Sequence, residues 1–413
     1  MSDVVIIGGG ASGLFAAARL IKECGRRLDI KILESGSKTG RKLLLTGSGR
    51  CNLSNHNCTV SKYNTDEPDK LARVIDSFGP ADSVDFFESD LGVRIATKGE
   101  LYYPATYRSS TVADSLRLYV EDAGCMICYD SKVRKIIRED DAYSIETETG
   151  EVITSRCVII ATGGASYPAT GSDGMGIHIA DGLITGDEII PFTPALVPLI
   201  SDKKMLKELA GIRCTCSTKV ISEGVTEDSS EGEVLFTKEG GLSGICILDI
   251  SASCLRLIGS DKAVSVQLNL MKAEPDEVVN MLALRRHIFS GRTCSDAFAG
   301  IIDKRILDVV MNDMKIDPDS SVADLKDGRL IQLANALCGW EIPVTGSDAI
   351  DNAQVSSGGI KLSALTDTLC VKDNPGLYII GEACNVNGIC GGYNLQWAWA
   401  SAASAARDIA SHV

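Results

Sequence analysis

The chain has 413 residues and is acidic, with 55 Asp and Glu against 41 Lys and Arg and a formal net charge of −14. This charge disfavours binding to nucleic acids or anionic membranes, which needs clustered basic side chains. Since no apolar run could span a bilayer and the N-terminus lacks a basic, cleavable leader, we expect a soluble cytoplasmic protein.

The length predicts two domains, or three, because a single core rarely serves so long a chain. The 15 cysteines are odd in number and scattered, which favours reduced thiols over a disulfide framework. The four histidines, at 56, 178, 287 and 412, lie far apart in the sequence. We therefore predict no metal site.

The first motif is GGGASG at residues 8–13, between an apolar strand and an Ala-rich helix. Gly8 permits the tight turn, Gly10 lets the backbone approach a pyrophosphate, and Gly13 lets the helix pack closely on the strand. The amides at the start of the helix near Ala11 face the phosphates. In this context the motif predicts a dinucleotide site, whereas a bare Gly-rich turn often only joins a strand to a helix.

An acidic residue follows the next predicted strand. Glu34 comes directly after residues 30–33, about 20 residues beyond Gly13, where a carboxylate accepts hydrogen bonds from ribose hydroxyls and repels a 2′-phosphate. The spacing therefore favours FAD or NAD over NADP at this site.

Alternating helical and β patterns continue to about residue 190. A helical region at 69–92 is broken at Gly79 and Pro80, and a second helix runs from 110 to 124. Predicted β segments follow at 127–138, 143–147, 152–154 and 157–161. The last of them leads into ATGGASYPATGSDGMG at 161–176.

Beyond residue 191 the pattern changes. Strand-like segments are predicted at 215–221, 234–237, 245–251 and 263–270, with a polar, flexible loop at 225–232 and helices at 275–289, 294–314 and 322–338. The nucleotide-binding pattern returns with strands at 355–360 and 376–381 and a Gly-rich turn that opens a long Ala-rich helix. The predicted domains are 1–190 with 351–413 for the nucleotide, an inserted antiparallel β unit at 191–272, and an inserted helical unit at 273–350.

Three Gly-rich elements thus occur in order: GGGASG at 8, ATGG at 161, and GE followed by GICGGYN between 381 and 394. Their order resembles that of glutathione-reductase-like FAD flavoproteins. The resemblance implies that the second element, with Thr162 and Gly163, passes close to the flavin, and that the third places a helix N-terminus at the pyrimidine end of the ring. Amides and a helix dipole at 391–394 would stabilise a reduced, anionic flavin.

Four longer motifs narrow the resemblance. TGSGRCNLSN at 46–55, ATGGASYPATGSDGMG at 161–176, LFTKEGGLSG at 235–244 and GGYNLQWAWAS at 391–401 are similar to those of the BaiN-like (YhiN-like) NAD(P)/FAD-dependent oxidoreductase family. The resemblance covers essentially the whole chain. It implies an α/β fold in which a glutathione-reductase-like FAD-binding Rossmann domain carries an inserted β-barrel-like plus helical domain.

The family resemblance also implies which residues bind FAD. It assigns the adenosine diphosphate part to Gly8, Gly10, Ala11, Ser12, Gly13 and Glu34, with the Val133 backbone at adenine. It assigns the pyrophosphate and flavin side to Lys42, Thr46, Gly49, Arg50, Cys51 and Asn52, and the flavin cradle to Thr162, Gly163, Gly381, Glu382, Gly392, Asn394 and Leu395. Family members often have Asp at Asn385, His near Lys238 and Thr at Ser356, which loosens any inference about the substrate.

Several of these residues also have a purely structural interpretation. Cys51 is a redox thiol or a small packed residue, and the absence of a nearby partner cysteine favours packing. Arg50 binds a phosphate or a surface carboxylate, and its Gly-rich setting favours the phosphate. For His178 a structural hydrogen bond is expected.

Two kinds of aromatic residue lie near the predicted flavin. Trp397 and Trp399 cannot share one helical face, so at most one indole meets the flavin, and core packing is the default. Tyr167 follows ATGGAS and is the candidate catalytic proton donor at the ring edge, although tyrosines at strand ends commonly serve packing alone.

The leading reaction hypothesis is reduction of an activated C=C bond. Because no second dinucleotide motif follows a strand, NAD(P)H is expected to dock transiently and pass hydride through flavin N5 to the β carbon of an enone, with Tyr167 protonating the α carbon. The resemblance implies 3-oxo-Δ4 or Δ4,6 bile-acid steroids, and hence a role in steroid, lipid and bile acid metabolism.

Two alternatives stay open. The first is oxidation of a small amine such as aminoacetone with O2 as acceptor, in which Glu382 or Lys238 would matter more. The second is a flavin-binding regulatory or RNA-modification protein that uses the inserted domain for a partner, against which the acidity argues. The expected partner is a small molecule, and the oligomeric state is left open.

Overall fold

The computed structural model describes residues 1–24 and 28–413. It divides the chain into two compact units, of which the first is Met1–Ala195 with Ile350–Val413 and the second is Leu196–Ala349. Among the described residues, no helix is both long and apolar enough to cross a membrane.

The strands of both units are numbered in chain order. They are β1 (Ser2–Ile7), β2 (Ile30–Leu33), β3 (Ser54–Asn55), β4 (Tyr63–Thr65), β5 (Ile95–Lys98), β6 (Leu101–Pro104), β7 (Met126–Cys128), β8 (Val133–Glu139), β9 (Ala142–Thr147), β10 (Val152–Ile160), β11 (Ile189–Ala195), β12 (Leu199–Ile200), β13 (Arg213–Ser222), β14 (Val225–Phe236), β15 (Leu242–Ser243), β16 (Val264–Asn269), β17 (Trp340–Val344), β18 (Gly346–Ser347), β19 (Val355–Ile360), β20 (Leu377–Ile379) and β21 (Val386–Gly388).

The α-helices follow the same order. They are α1 (Ala11–Glu23), α2 (Arg41–Leu45), α3 (Pro68–Ser77), α4 (Pro80–Asp85), α5 (Ser109–Asp122), α6 (Ile245–Ile258), α7 (Pro275–Ile288), α8 (Cys294–Ala297), α9 (Lys304–Asp313), α10 (Asp327–Cys338) and α11 (Gly391–His412).

The first unit is built on one mixed sheet with the order β7-β2-β1-β10-β9-β8, and β20 pairs with β10. Strands β7, β2, β1, β10 and β20 are parallel, while β9 and β8 form an antiparallel extension. Parallel strands bring their carboxyl ends to one edge of the sheet, where ligands of doubly wound folds bind. This confirms the predicted Rossmann-type α/β fold.

The sheet joins distant parts of the chain. Val158, Ile159 and Ile160 of β10 pair on one side with β1 and on the other with Leu377, Tyr378 and Ile379 of β20. The Ala-rich helices α1 and α11 supply much of the buried surface around the sheet. Their small alanine side chains let the two helices pack closely. The N-terminal and C-terminal segments therefore fold into a single unit.

A cluster of five aromatic rings fixes the inner side of α1. The ring of Phe15 lies 5.7 Å from Phe78, 5.0 Å from Phe86, 5.8 Å from Phe87 and 4.9 Å from Trp399, measured between centroids. All five side chains are buried. Edge and tilted ring contacts of this kind add to the hydrophobic stabilisation of a core.

We expect Phe15→Ala to lower the free energy of unfolding by about 3–5 kcal/mol, because it opens a cavity between four rings that cannot all move inward. Urea unfolding of the apoprotein followed by tryptophan fluorescence measures this change. The control is Leu118→Ala on α5, where Leu118 is 48% exposed, and it should change the free energy by less than about 0.5 kcal/mol. A loss below about 1 kcal/mol for Phe15→Ala would contradict the packing described.

The second unit contains an antiparallel sheet with the order β17-β16-β13-β14-β15-β12-β18. Its longest hairpin joins β13 to β14, with Ser222 paired to Val225. The two connecting residues, Glu223 and Gly224, have φ of 50° and 77°, as a tight hairpin turn requires. The prediction of a flexible loop at 225–232 is therefore wrong, because pairing with β13 outweighs the polar composition.

The predicted strand at 245–251 is also wrong, since these residues begin helix α6. A short apolar run does not distinguish a strand from a buried helix by itself. The burial pattern follows the helical period, with Cys246, Ile247, Ile250, Cys254 and Leu257 inside. The apolar spacing that continues to Leu257 was the signal for a helix.

The predicted helices at 294–314 and 322–338 are shorter in the structure. The first divides into α8 and α9, and the second begins with a 3-10 turn at Val322–Asp324 before α10. Asp303 caps α9 by accepting a hydrogen bond from the Arg305 amide at 2.9 Å, which explains the start of that helix. Strands and helices of the second unit share one hydrophobic core.

Candidate functional site

A cavity of about 340 Å³ opens in the first unit, within the range typical of small-molecule sites. It lies where several parallel strands end: Gly8 follows β1, Glu34 follows β2 and Ala161 follows β10, and all three line it. Several residues between 354 and 398 complete its wall. The fold thus places this cavity at the edge where a doubly wound sheet binds its ligand.

Two glycines of the first turn act differently. A Cβ at Gly13 would lie 1.9 Å from the carbonyl oxygen of Gly8, so only glycine lets α1 pack this closely on the turn. A Cβ at Gly10 would meet nothing within 4 Å, although Gly10 lines the cavity. A larger side chain at Gly10 would therefore occupy the cavity and leave the protein's own packing intact.

Glu34 is buried and lines the cavity. Its Oε2 accepts a hydrogen bond from the Gly9 amide at 2.9 Å, and its Oε1 accepts one from the Gly36 amide at 2.8 Å. The guanidinium of Arg41 lies 3.5 Å from Oε1. The carboxylate therefore braces two turns beside the cavity while it remains at the position expected for ribose recognition.

A polar network crosses the cavity wall between the N-terminal and C-terminal segments. The Lys42 ammonium donates to Glu382 Oε2 and to Ser166 Oγ, each at 2.6 Å. Glu382 Oε1 accepts from the Ser356 amide and hydroxyl, each at 2.9 Å. Because both charged side chains are largely removed from water, the pair depends on these additional hydrogen bonds.

The loop after β10 is held by the same network. Ser166 is fully buried and its hydroxyl lies 3.3 Å from Glu382 Oε1, while the Ala165 amide donates to Ser356 Oγ at 2.9 Å. The next residue, Tyr167, has a φ of 55° and lines the cavity. No residue of the described chain forms a hydrogen bond with its hydroxyl.

The N-terminus of α11 also faces the cavity, since Gly391, Asn394, Leu395 and Trp397 line it. The Asn394 amide group donates to the carbonyl oxygens of Gly388 and Cys390, each at 2.9 Å, and so orders the turn before the helix. A long helix with free N-terminal amides favours negative charge at this end of the cavity.

Both tryptophans of α11 are buried. The Trp397 indole donates to the Gly381 carbonyl at 2.9 Å, and the Trp399 indole donates to the Leu53 carbonyl at 2.9 Å. Only Trp397 of the two lies along the cavity. The expectation that both indoles pack in the core is confirmed, and Trp397 alone of the two is placed to meet a ligand in the cavity.

The site residues predicted from the sequence divide into two groups, according to whether they line the cavity. Those that line the cavity are Gly8, Gly10, Ala11, Ser12, Glu34, Lys42, Thr46, Val133, Thr162, Gly163, Tyr167, Glu382, Asn394 and Leu395. Those outside its lining are Gly13, Gly49, Arg50, Cys51, Asn52, Gly381 and Gly392. In the second group, a Cβ at Gly381 would lie 2.6 Å from Ser12 Oγ, and one at Gly392 would lie 2.3 Å from Asn52 Nδ2. Glycine at these two positions therefore lets the Ser12 and Asn52 side chains pack directly against the backbone.

Cys51 is fully buried and has a φ of 57°. Burial raises the pKa of its thiol to about 12, and a hydrogen bond with Thr46 opposes the shift. The nucleophilic form of cysteine is the thiolate, so this side chain is an unreactive thiol at neutral pH.

We therefore expect Cys51 to resist alkylation by iodoacetamide at pH 8 in the folded protein, because only about one thiol in 10⁴ is ionised when the pKa lies four units above the pH. Peptide mass spectrometry after brief labelling measures the modified fraction. The unfolded protein serves as control and should be labelled at this residue. Rapid labelling of native Cys51 would contradict its burial.

Other residues singled out in the sequence lie elsewhere. His178 Nδ1 is 3.6 Å from Asp181 in a 3-10 turn, and Lys238 is an exposed residue of the second unit. Asn385 donates to Asp66 at 2.9 Å. Within the described residues, no group of three or more His, Cys, Asp or Glu side chains is arranged to hold a metal ion.

Sequence reasoning missed part of the cavity wall. Arg41 and Gln354 line it, and the Arg41 guanidinium donates to the Ala169 carbonyl at 3.2 Å. Arg41 directly follows Gly40, whose φ is 69°, at the start of α2. An arginine after a glycine at a helix start was the available signal, since such positions suit an anionic ligand.

The cavity fits a dinucleotide on three observations. Gly10 leaves open space beside the N-terminus of α1, which suits a pyrophosphate. Thr162 lines the cavity, and its Oγ1 is buried without a hydrogen-bond partner among the described residues, as expected of a group that bonds to a ligand. The lining also includes Gly391, at the N-terminus of the second helix, α11.

This fold and this cavity define the class of the protein as an FAD-dependent oxidoreductase with a Rossmann-type FAD-binding domain. A family model described as "HI0933-like protein Rossmann domain" matches residues 2–408. The chain belongs to this family, and the family predicted from the sequence is confirmed.

Two curated relatives span nearly the whole chain. A 3-dehydro-bile acid delta(4,6)-reductase of Clostridium scindens is 30% identical over 412 residues, which cover 99% of each chain. A ribosomal RNA dihydrouridine synthase of Escherichia coli is 29% identical over 410 residues, which cover 98% of each chain. Among solved structures, a 3-ketosteroid delta1-dehydrogenase of Sterolibacterium denitrificans matches with a TM-score of 0.52 at 13% identity over 100% of each chain, a likeness of fold.

Proposed function

We propose that the protein uses FAD to reduce a C=C bond conjugated to a carbonyl group. The observation that carries the proposal is the pair of curated relatives, one named as a bile-acid delta(4,6)-reductase and the other as a dihydrouridine synthase. Both names describe saturation of a C=C bond, in a steroid ring or in a uracil ring, where a neighbouring carbonyl makes the β carbon electrophilic. A shared reaction on unlike substrates favours this reaction for the present chain.

Bound FAD would supply the hydride carrier between a nicotinamide donor and the substrate. The chain's own groups have three tasks. The N-terminus of α11 stabilises negative charge at one end of the cavity. The Lys42–Glu382 pair fixes the loop that carries Tyr167, and the Tyr167 phenol donates the proton to the α carbon.

Two substrate classes follow from the relatives. A 3-oxo-Δ4 or Δ4,6 steroid is a compact apolar enone, and the cavity walls include apolar side chains such as Leu45 and Val355. A uracil base in RNA is the second candidate, and two relatives named ribosomal RNA dihydrouridine synthase, at 29% and 27% identity, favour it. NADPH and NADH are both candidate electron donors.

The test is anaerobic mixing of the FAD-loaded protein with NADH or NADPH, followed at the absorbance band of oxidised flavin. We expect bleaching with one donor and recovery of the band after addition of a 3-oxo-Δ4 steroid or a uridine-containing RNA. A flavin that neither donor reduces would overturn the nicotinamide step. Reduction by aminoacetone with formation of peroxide would instead establish an amine oxidase.

A further inference from the structure

One exposed surface of the first unit is locally basic, although the chain as a whole is acidic. Residues 94–108 contain three basic residues, Arg94, Lys98 and Arg108, against the single acid Glu100, whereas the whole chain has 55 acidic residues against 41 basic ones. Arg94, Lys98 and Arg108 are exposed. A local basic cluster on an acidic protein marks a surface where anions are attracted.

Strand register places aromatic and basic groups on one side of a small sheet. Ala96 of β5 pairs with Tyr103 of β6. Because side chains alternate along a strand, Arg94, Ala96 and Lys98 project to the same side as Tyr103. We call Arg50, Arg94, Lys98, Tyr103 and Tyr107 the aromatic–basic face.

The two tyrosines form a platform within this face. Their ring centroids are 5.5 Å apart and their planes differ by 35°. Tyr107 is 42% exposed and Tyr103 is partly exposed. Partly exposed aromatic rings beside basic groups are the arrangement on which bases of single-stranded nucleic acids stack.

Arg50 belongs to the same cluster. The Leu53 amide, three residues after Arg50, donates to the Tyr102 carbonyl at 2.8 Å, so the segment that carries Arg50 runs beside β6. Burial raises the pKa of Tyr103, and the positive charge of Arg50 opposes the shift. Among the residues that the structure describes, none of Arg50, Arg94 and Lys98 has an ion pair with a carboxylate. The neighbouring Glu88 accepts a hydrogen bond from the Ile95 amide at 3.1 Å.

The aromatic–basic face adjoins the rim of the cavity on two sides. The Arg50 amide donates to the carbonyl of Thr46 at 3.1 Å, and Thr46 lines the cavity. On the other side, Asn55 of β3 pairs with Leu101 of β6, the strand that carries Tyr103. The Asn55 amide group lies 3.6 Å from Cys390 Sγ, directly before the lining residue Gly391. A chain bound across the face would pass the cavity entrance.

We propose that the aromatic–basic face binds a single-stranded segment of RNA. Bases stack on Tyr107 and Tyr103, phosphates lie against Arg94, Lys98 and Arg50, and an adjacent uracil reaches the cavity rim. The identification of that base as uracil rests on the proposed reduction of a conjugated C=C bond, whereas the binding of the strand does not. The chain as a whole is acidic, with a net charge of −14, so the local excess of basic groups distinguishes this face from the chain average.

Fluorescence anisotropy of a labelled, uridine-rich single strand of about ten nucleotides tests the proposal on the FAD-loaded, oxidised protein. We expect Tyr107→Ala to weaken binding at least about five-fold. The double variant Arg94→Gln with Lys98→Gln should weaken it about ten-fold or more at low salt and reduce the slope of log affinity against log salt by about 1.4.

Matched controls use the same residue types elsewhere in the first unit. Tyr129→Ala, and Arg134→Gln with Lys135→Gln, alter exposed side chains and should leave affinity unchanged. The proposal would be overturned if the control variants weaken binding as much as the variants of the aromatic–basic face. It would also be overturned if the parent protein shows no detectable binding, or if it binds double-stranded RNA with equal affinity. Because this assay needs no turnover, binding without flavin reoxidation would refute only the proposed reaction, and flavin reoxidation by a steroid enone without RNA binding would refute only the face.

Discussion

Gly10→Val is expected to yield a folded protein that no longer retains FAD. The Cβ of the new side chain has open space within 4 Å, and the side chain fills the place where the turn approaches the pyrophosphate. FAD content after gel filtration, from the flavin absorbance per chain, should fall by at least about 100-fold, and the thermal midpoint of the apoprotein should stay within about 2 °C.

The matched control for this variant is Gly291→Val. Gly291 is exposed in the second unit and also has open space at its Cβ, so the same substitution should leave FAD content unchanged. Gly13→Ala should instead destabilise the fold itself, because the new Cβ would lie 1.9 Å from a carbonyl oxygen. FAD retention by Gly10→Val at the level of the parent would refute the assignment of the turn.

Tyr167→Phe is expected to slow the transfer of electrons to the substrate about 100-fold or more, within the usual range for loss of a general acid. Phenylalanine keeps the ring and tolerates the same backbone conformation, so only the proton is lost. Stopped-flow measurement separates the two half-reactions. Reduction of the flavin by NAD(P)H should keep its rate, whereas reoxidation by the enone should slow.

Tyr129→Phe is the matched control, since Tyr129 is 37% exposed and lies outside the cavity lining. Its reoxidation rate should equal that of the parent. If Tyr167→Phe reoxidises within about two-fold of the parent, the proton comes from another donor or from water, and Tyr167 serves packing alone.

The parts of the fold that were predictable have local signals. The strand, Gly-rich turn and helix at residues 2–23 follow from apolar residues, three glycines and an Ala-rich run, and the same holds for α11. The errors at 225–232 and 245–251 have a different origin. A polar strand is stabilised by its partner β13, and a short apolar segment alone does not specify its own period.

The polar network of the cavity was beyond sequence reasoning. Lys42 and Glu382 were each expected near the cofactor, but their pairing joins residues 340 positions apart. Ser166 lies in the motif at 161–176 and Ser356 is a position where family members often have Thr, but neither pattern shows that these serines complete the network. Such contacts depend on how β10 and β20 align, and no local pattern encodes that alignment.

The expectation of no nucleic-acid partner was based on the net charge. The value of −14 describes the whole chain, but recognition depends on the potential of one surface, and the screening length of about 8 Å at physiological salt keeps distant acidic groups from cancelling a local cluster. Arg94 and Lys98 therefore act with their immediate neighbours. The expected absence of a nucleic-acid partner does not follow from total charge alone.

The most direct test of the proposed reaction is the mass of the product after anaerobic turnover in D2O. FAD-loaded protein, NAD(P)H and a 3-oxo-Δ4 steroid or uridine-containing RNA should give a product with two added hydrogens, one from the donor at the β carbon and one solvent-derived deuteron at the α carbon. The proposed reaction would be contradicted if steroid and RNA are both recovered unchanged, and if the reduced flavin is reoxidised only after O2 is admitted.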